Sequence, residues 1–98
     1  IITQIYLRHN CSAVKMNKQI NNLTDDELYI LIGKNVAKYR KKANMSQLEL
    51  SLEMGHNSTS LVSSAELYRN KRKFNIAQLK TIAKILDINI CDFFKPLE

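Results

Sequence analysis

The chain has 98 residues, 45% hydrophobic and 24% charged, which is enough apolar material for one packed core and too short a chain to divide into two. No apolar run approaches the roughly 20 residues that a membrane-spanning helix needs, so a soluble chain with no membrane partner is expected. Fifteen Lys and Arg against nine Asp and Glu give a formal charge of +6, which favours an anionic partner such as nucleic acid.

Residues 1–15 have neither a secretory apolar region with a cleavage site nor helical periodicity. They read either as a leader ahead of a start at Met16 or as an N-terminal arm. The organisation expected is therefore a leader or arm over 1–23, a helical domain over 24–95 and a short tail over 96–98.

From Thr24 onwards one device recurs, a capping residue followed three positions later by Glu, Gln or Asp, which satisfies the unpaired N–H groups of a helix start. Thr24 with Glu27 opens a first helix whose apolar positions Leu28, Leu31, Ile32, Val36, Tyr39 and Ala43 recur at helical spacing; it should end near Asn44. Ser46 with Glu49 opens a second helix of about two turns, with Leu50 and Met54 facing the core. Gly55 stops it, because glycine enters a left-handed conformation without steric cost.

Asn57, Ser58, Thr59 and Ser60 then offer caps for a third helix with Leu61, Val62 and Ala65 as its apolar members. A basic loop runs from Tyr68 to Phe74. Asn75 with Gln78 caps a fourth helix that buries Ile76, Leu79, Ile82, Ala83 and Leu86. Asn89 with Asp92 caps a last short helix through Phe93 and Phe94, stopped by Pro96. The fold class expected is all-α, with five helices.

Charge placement sharpens the charge count. Lys34, Lys38, Arg40, Lys41 and Lys42 form one block, and Arg69, Lys71, Arg72 and Lys73 another, with no acidic residue inside either. Lys38, Lys41 and Lys42 read as a general electrostatic face. Cys11 and Cys91 lack the spacing of a disulfide framework or a metal site and read as reduced thiols of a cytoplasmic protein, with Cys91 in the core. His9 and His56 lack the paired ligands that zinc requires. No metal or cofactor is expected. Nor is an enzyme, since no Gly-rich phosphate loop and no nucleophile with an evident base is present.

A short helix, a glycine-containing turn and a second short helix with small polar residues match the geometry that places a recognition helix in the major groove. The stretch Met45-Ser46-Gln47-Leu48-Glu49-Leu50-Ser51-Leu52-Glu53-Met54-Gly55, followed by Ser60-Leu61-Val62-Ser63-Ser64-Ala65-Glu66, resembles the helix-turn-helix of the Cro and phage-repressor (XRE-like) family. So does Leu79-Lys80-Thr81-Ile82-Ala83-Lys84-Ile85-Leu86-Asp87-Ile88. The resemblance covers roughly residues 32–94. It implies a lambda-repressor-like domain that binds double-stranded DNA in a sequence-specific way and regulates transcription, as a repressor or autoregulator, with the helix at residues 58–68 in the major groove.

The resemblance also implies a phosphate contact from Gln47, beside the cap Ser46, and a structural ion pair between Arg40 and Glu66. Two departures stand out. One extra residue lies between Gly55 and Glu66, absorbed around His56 and Asn57, and Ser51 stands where the family usually has Ala. Base readers must be polar and near the N-terminus of the recognition helix, which nominates Thr59, Ser60, Ser63 and Ser64, each of which has a capping or solvated hydroxyl as its plain alternative. Short hydroxyls discriminate bases poorly, so DNA shape is expected to supply much of the preference.

Asn57, Ser58, Arg69, Asn70, Lys71, Arg72 and Lys73 are the further phosphate candidates, with a solvated charge run as the alternative for the loop. Tyr68 could either pack on the core or donate to a phosphate. A homodimer is expected from the family habit, through the apolar cluster Ile88, Ile90, Phe93, Phe94 and Leu97, part of which must also close the core. The alternative function is an antitoxin-like or other protein-interaction module, whose partner is a toxin or another regulator and whose DNA binding is secondary autoregulation.

Overall fold

The computed structural model describes residues 20–97. Among these residues the chain is all-helical, with α1 at Asp25–Lys42, α2 at Gln47–Glu53, α3 at Ser60–Glu66 and α4 at Ile76–Leu86, and with 3₁₀ turns at Arg69–Lys71 and Ile90–Phe94. No described residue is in a strand, and no described helix is long and apolar enough to cross a membrane. The leader or arm, with Cys11 and His9, lies outside the described residues up to position 19.

Among the described residues, four α-helices and a closing 3₁₀ turn stand where five helices were expected. The segment after Asn89 winds as a 3₁₀ turn because its cap closes early: the Asn89 side chain accepts from the N–H of Cys91, two residues on, at 3.1 Å. Asp92 accepts in return from the N–H of Asn89 at 3.3 Å and pairs with Lys95 at 2.6 Å. Such tight turns are stable only in short pieces, and this one ends at Phe94.

Helix starts follow the sequence closely. Thr24, Ser46 and Asn75 each accept from the N–H three residues on, and Glu27, Glu49 and Gln78 each accept from the cap residue's N–H, so all three capping boxes close. Hydrogen bonding to the backbone N–H of Thr24, and then to its side chain, holds the Glu27 carboxyl below its usual range; Ser46 does the same to Glu49.

Three helix ends share one device. Asn44, Gly55 and Asp87 take left-handed φ of 55°, 89° and 55°. Behind each, the next N–H reaches back across the last turn, from Met45 to Arg40 at 3.1 Å, from His56 to Ser51 at 2.9 Å and from Ile88 to Ala83 at 3.0 Å. This closure pairs carbonyls that a helix end otherwise leaves open.

One core joins all four helices: Ile32 and Val36 of α1, Leu50 of α2, Val62 and Ala65 of α3, and Leu79, Ile82, Ala83 and Leu86 of α4, closed by Phe74 and Phe93. Each fully buried Val, Leu, Ile or Phe side chain among them contributes about 1.5–3 kcal/mol. Several expected core members sit elsewhere. Ala43 is exposed, one residue past the end of α1 at Lys42, and Ile76, the first residue of α4, is 70% exposed. Met54 and Leu61, though half-buried, do pack against the core as expected, whereas Cys91 is half-buried.

Two positions on α1 fix how the rest of the chain meets it. Gly33 lies against the end of α3, where a Cβ would come within 2.6 Å of the Ala65 carbonyl oxygen and 2.7 Å of that of Glu66. Asn35 is buried, and its Nδ2 donates to the carbonyls of Phe93 at 2.9 Å and Lys95 at 2.8 Å. Both hydrogens of one amide therefore hold the C-terminal segment along α1.

Candidate nucleic-acid interface

The α2–turn–α3 unit is assembled from two seven-residue helices. Gly55 opens the connection, and its side is open enough that a Cβ would meet nothing within 4 Å; it is the left-handed φ that favours glycine there. Helix α3 is shorter than the expected 58–68. Thr59 precedes it with no side-chain cap bond, and the Ser58 hydroxyl accepts from the N–H of Ser60 at 3.4 Å instead. At the other end Leu67 caps α3, and Tyr68 turns left-handed at φ 54°.

At the crossing of the two helices Ser51 is fully buried, and its hydroxyl donates to the Gln47 carbonyl at 2.8 Å. A serine in place of a smaller alanine is thus tolerated, because its one polar atom bonds within its own helix.

Arg40 and Glu66, brought together from α1 and α3, form a bidentate ion pair, Nε to Oε2 at 2.7 Å and Nη2 to Oε1 at 3.1 Å. Both residues are buried. Arg40 Nη1 also donates to the Met45 carbonyl at 2.8 Å, and Gln47 Nε2 donates to Glu66 Oε1 at 2.9 Å. One carboxylate thus ties α1, α2 and α3 together. Gln47 is placed differently from a simple outward-facing phosphate donor: one N–H of its amide is engaged by Glu66, and the amide carries a second.

The base-reading candidates are unequal in exposure. Ser60 is exposed, whereas Thr59, Ser63 and Ser64 are half-buried, and the Ser63 hydroxyl donates back to the Ser60 carbonyl at 3.3 Å. Ser46, Asn57 and Ser58 are exposed, with the Ser46 hydroxyl accepting from the N–H of Glu49 at 3.0 Å.

Arg69, Asn70, Lys71, Arg72 and Lys73 are all exposed. The loop they form returns to α3, since Arg72 Nη1 donates to the Ser60 hydroxyl at 3.4 Å. Tyr68, Asn70 and Lys71 all have left-handed φ, between 54° and 59°, a conformation that costs an L-residue roughly 1–2 kcal/mol.

Tyr68 is half-buried and packs on α1. Its hydroxyl donates to Asp26 Oδ1 at 2.7 Å, and its ring stacks on Tyr29 with centroids 5.9 Å apart. The bond to Asp26 pushes the phenol up to about 12. Lys73 places its ammonium 4.7 Å from the centroid of the same Tyr29 ring. In the other basic block, Lys38 and Lys42 lie 5.2 and 5.4 Å from the Tyr39 ring centroid.

The C-terminal apolar cluster divides. Phe93 is fully buried in the core and is not available to a partner, while Ile88, Ile90 and Phe94 are half-buried and Leu97 is 42% exposed. Phe94, Pro96 and Leu97 form one wall of an apolar groove of about 570 Å³, with Leu23, Ile30 and Leu31 on the other.

No protein-family model, curated protein or solved structure matches this chain.

Sequence reasoning passed over Asp26, Tyr29 and Asn35. Asp26 resembled a first-turn helix acid, and Tyr29 and Asn35 lay in a helix already accounted for by its apolar stripe. Only the fold brings residue 68 to residue 26, and nothing local to either position signals it.

Proposed function

We propose that this chain is a sequence-specific double-stranded DNA-binding protein of the helix-turn-helix kind that regulates transcription from cytoplasmic DNA, with α3 entering the major groove. The observation that carries the reading is the bond between Arg72 and Ser60. It sets the most cationic loop of a +6 chain against the exposed N-terminal hydroxyl of α3, so base-edge and phosphate groups share one side of the domain. Short, polar first-turn residues on a helix joined by a glycine turn to a second short helix fit groove entry sterically.

In this reading Ser60 is the leading base contact, with Thr59, Ser63 and Ser64 behind it. Arg69, Asn70, Lys71 and Arg72 hold phosphates, as does Lys73. Ser46 and Gln47, with Asn57 and Ser58, contribute neutral contacts at the edges. Gln47 uses its second N–H, and the Arg40–Glu66 pair serves the fold.

The test is the salt dependence of binding to duplex DNA, followed by selection of preferred sites from random duplexes. If about six phosphates are neutralised, log affinity falls against log salt with a slope of roughly −5. A slope near zero refutes the reading.

Two-fold operators need two recognition helices about 34 Å apart, and the apolar groove beside Leu97 supplies a surface on which a second copy would pack. Sedimentation at micromolar concentration tests the homodimer. A monomer there would turn the same groove into support for the alternative, an antitoxin-like module whose groove receives a toxin or another regulator.

A further inference from the structure

Tyr29 meets both ends of the basic loop. Its ring stacks on Tyr68, the residue just before the loop, at 5.9 Å and 20° between planes, and it carries the ammonium of Lys73, the last cation, at 4.7 Å. Asp26 lies three residues earlier, on the same face of α1, and accepts the Tyr68 hydroxyl at 2.7 Å. At the first anchor point Tyr68, and between the two Asn70 and Lys71, are left-handed. Such conformations persist in residues other than glycine only when their surroundings over-determine them, and the α1 anchor is the part of those surroundings that touches both loop ends.

We propose that Asp26 and Tyr29 are positioning residues for phosphate binding, holding the loop at Arg69–Arg72 in the one shape that presents its cations together to a DNA backbone. This role rests on the DNA-binding reading above. Binding to a loop already ordered avoids the entropy cost of ordering it in the complex. Asp26 is itself an anion beside the phosphate-binding loop, and this gives the proposal a sign of its own. By Coulomb's law alone, removing its charge tightens DNA binding; loss of the anchor weakens it.

The experiment compares the full chain with Asp26→Ala and Tyr29→Leu, using a random-sequence duplex of about 20 base pairs as probe, and follows affinity against salt together with amide exchange across the loop. Tyr68→Phe, which keeps the stack and loses the hydroxyl, is the conservative variant. Asp26→Ala should weaken binding ~3–10-fold and Tyr29→Leu about tenfold, with the salt slope shallower by roughly 1–2 and a smaller loss in Tyr68→Phe. Exchange should quicken at Lys71 and Arg72, whose N–H groups bond within the loop.

Asp26→Ala binding as tightly as the unaltered chain or more so, with loop exchange unchanged, overturns the proposal. So does a Tyr68 phenol whose titration is unchanged by Asp26→Ala, because the bond to Asp26 is what raises it. Absence of duplex binding by the unaltered chain overturns the DNA-binding reading and this role with it. Normal binding by the unaltered chain with indifferent variants overturns the anchor alone.

Discussion

Glu66→Ala is the most informative single change to the fold, because the Glu66 carboxylate is shared by three helices. It accepts from Arg40 through two bonds and from Gln47 through a third, and both Arg40 and Glu66 are buried. Truncation leaves the Arg40 guanidinium buried with only the Met45 carbonyl, at 2.8 Å, as a partner. Removing one member of a buried ion pair costs about 3–5 kcal/mol, most of it the penalty of the stranded charge. A domain of this size has a total stability of about 5–15 kcal/mol, and each kcal/mol shifts its melting temperature by roughly 4–8 °C.

Glu66→Ala should therefore melt at least ~12 °C below the unaltered chain, as followed by helical circular dichroism, with urea unfolding giving the free energy. Glu66→Gln keeps the acceptor oxygen and the shape, and should fall between the two. Adding Arg40→Met to Glu66→Ala should recover part of the loss, because no charge is then left buried. A Glu66→Ala chain within ~0.5 kcal/mol of the unaltered protein, the range of an ordinary surface change, would refute both the pair and the placement of α3 against α1.

Other changes test separate parts of the fold. Gly33→Ala drives a methyl into two backbone carbonyls at the α1–α3 crossing and should cost at least ~1–3 kcal/mol in urea unfolding, as overpacking does. Asp87→Gly should raise stability by roughly 0.5–1 kcal/mol, since it relieves a left-handed φ of 55° and removes an anion from a helix C-terminus. Glu27 and Glu49 both have lowered carboxyl pKa values from their capping bonds, so their stabilisation is present above the ordinary carboxylate range, about 4.3, and is lost as pH falls through the lowered values. Melting temperature against pH should thus decline on acidification, and Glu27→Gln with Glu49→Gln, which keep the bonds without the titration, should flatten that decline.

The starts of α1, α2 and α4 were legible because a capping box is written in four consecutive residues, whereas α3, whose cap Thr59 makes no side-chain bond, was not. Helix ends were half legible: Gly55 declares itself, but Asn44 and Asp87 take the same left-handed turn without a residue type that demands it. The pattern of α4 was clear from Leu79 to Leu86, yet Ile76 matched the stripe and lies in solvent, because periodicity records which face is apolar and not how far a neighbouring helix extends over it. Asn35 and Tyr68 were opaque for a deeper reason. Their partners, Phe93, Lys95 and Asp26, are 58, 60 and 42 positions away, and a polar residue's meaning in a core depends on which distant carbonyl or carboxylate folding brings to it.

That dependence bears on how the candidate interface would work. The family resemblance implies a phosphate contact from Gln47, and its amide bonds to the same Glu66 oxygen that Arg40 Nη2 holds. Its position relative to α3 is therefore set by the ion pair and not by the turn alone. The basic loop is likewise held on Tyr29 and Asp26 of α1, through Tyr68 at one end and the cation Lys73 at the other. Both halves of the proposed surface are referred to one helix that, on this reading, contacts neither bases nor phosphates. Stability and affinity should then fall together for changes at Glu66, while Asp26→Ala, at an exposed position, should lower affinity with little change in the cooperative unfolding of the core.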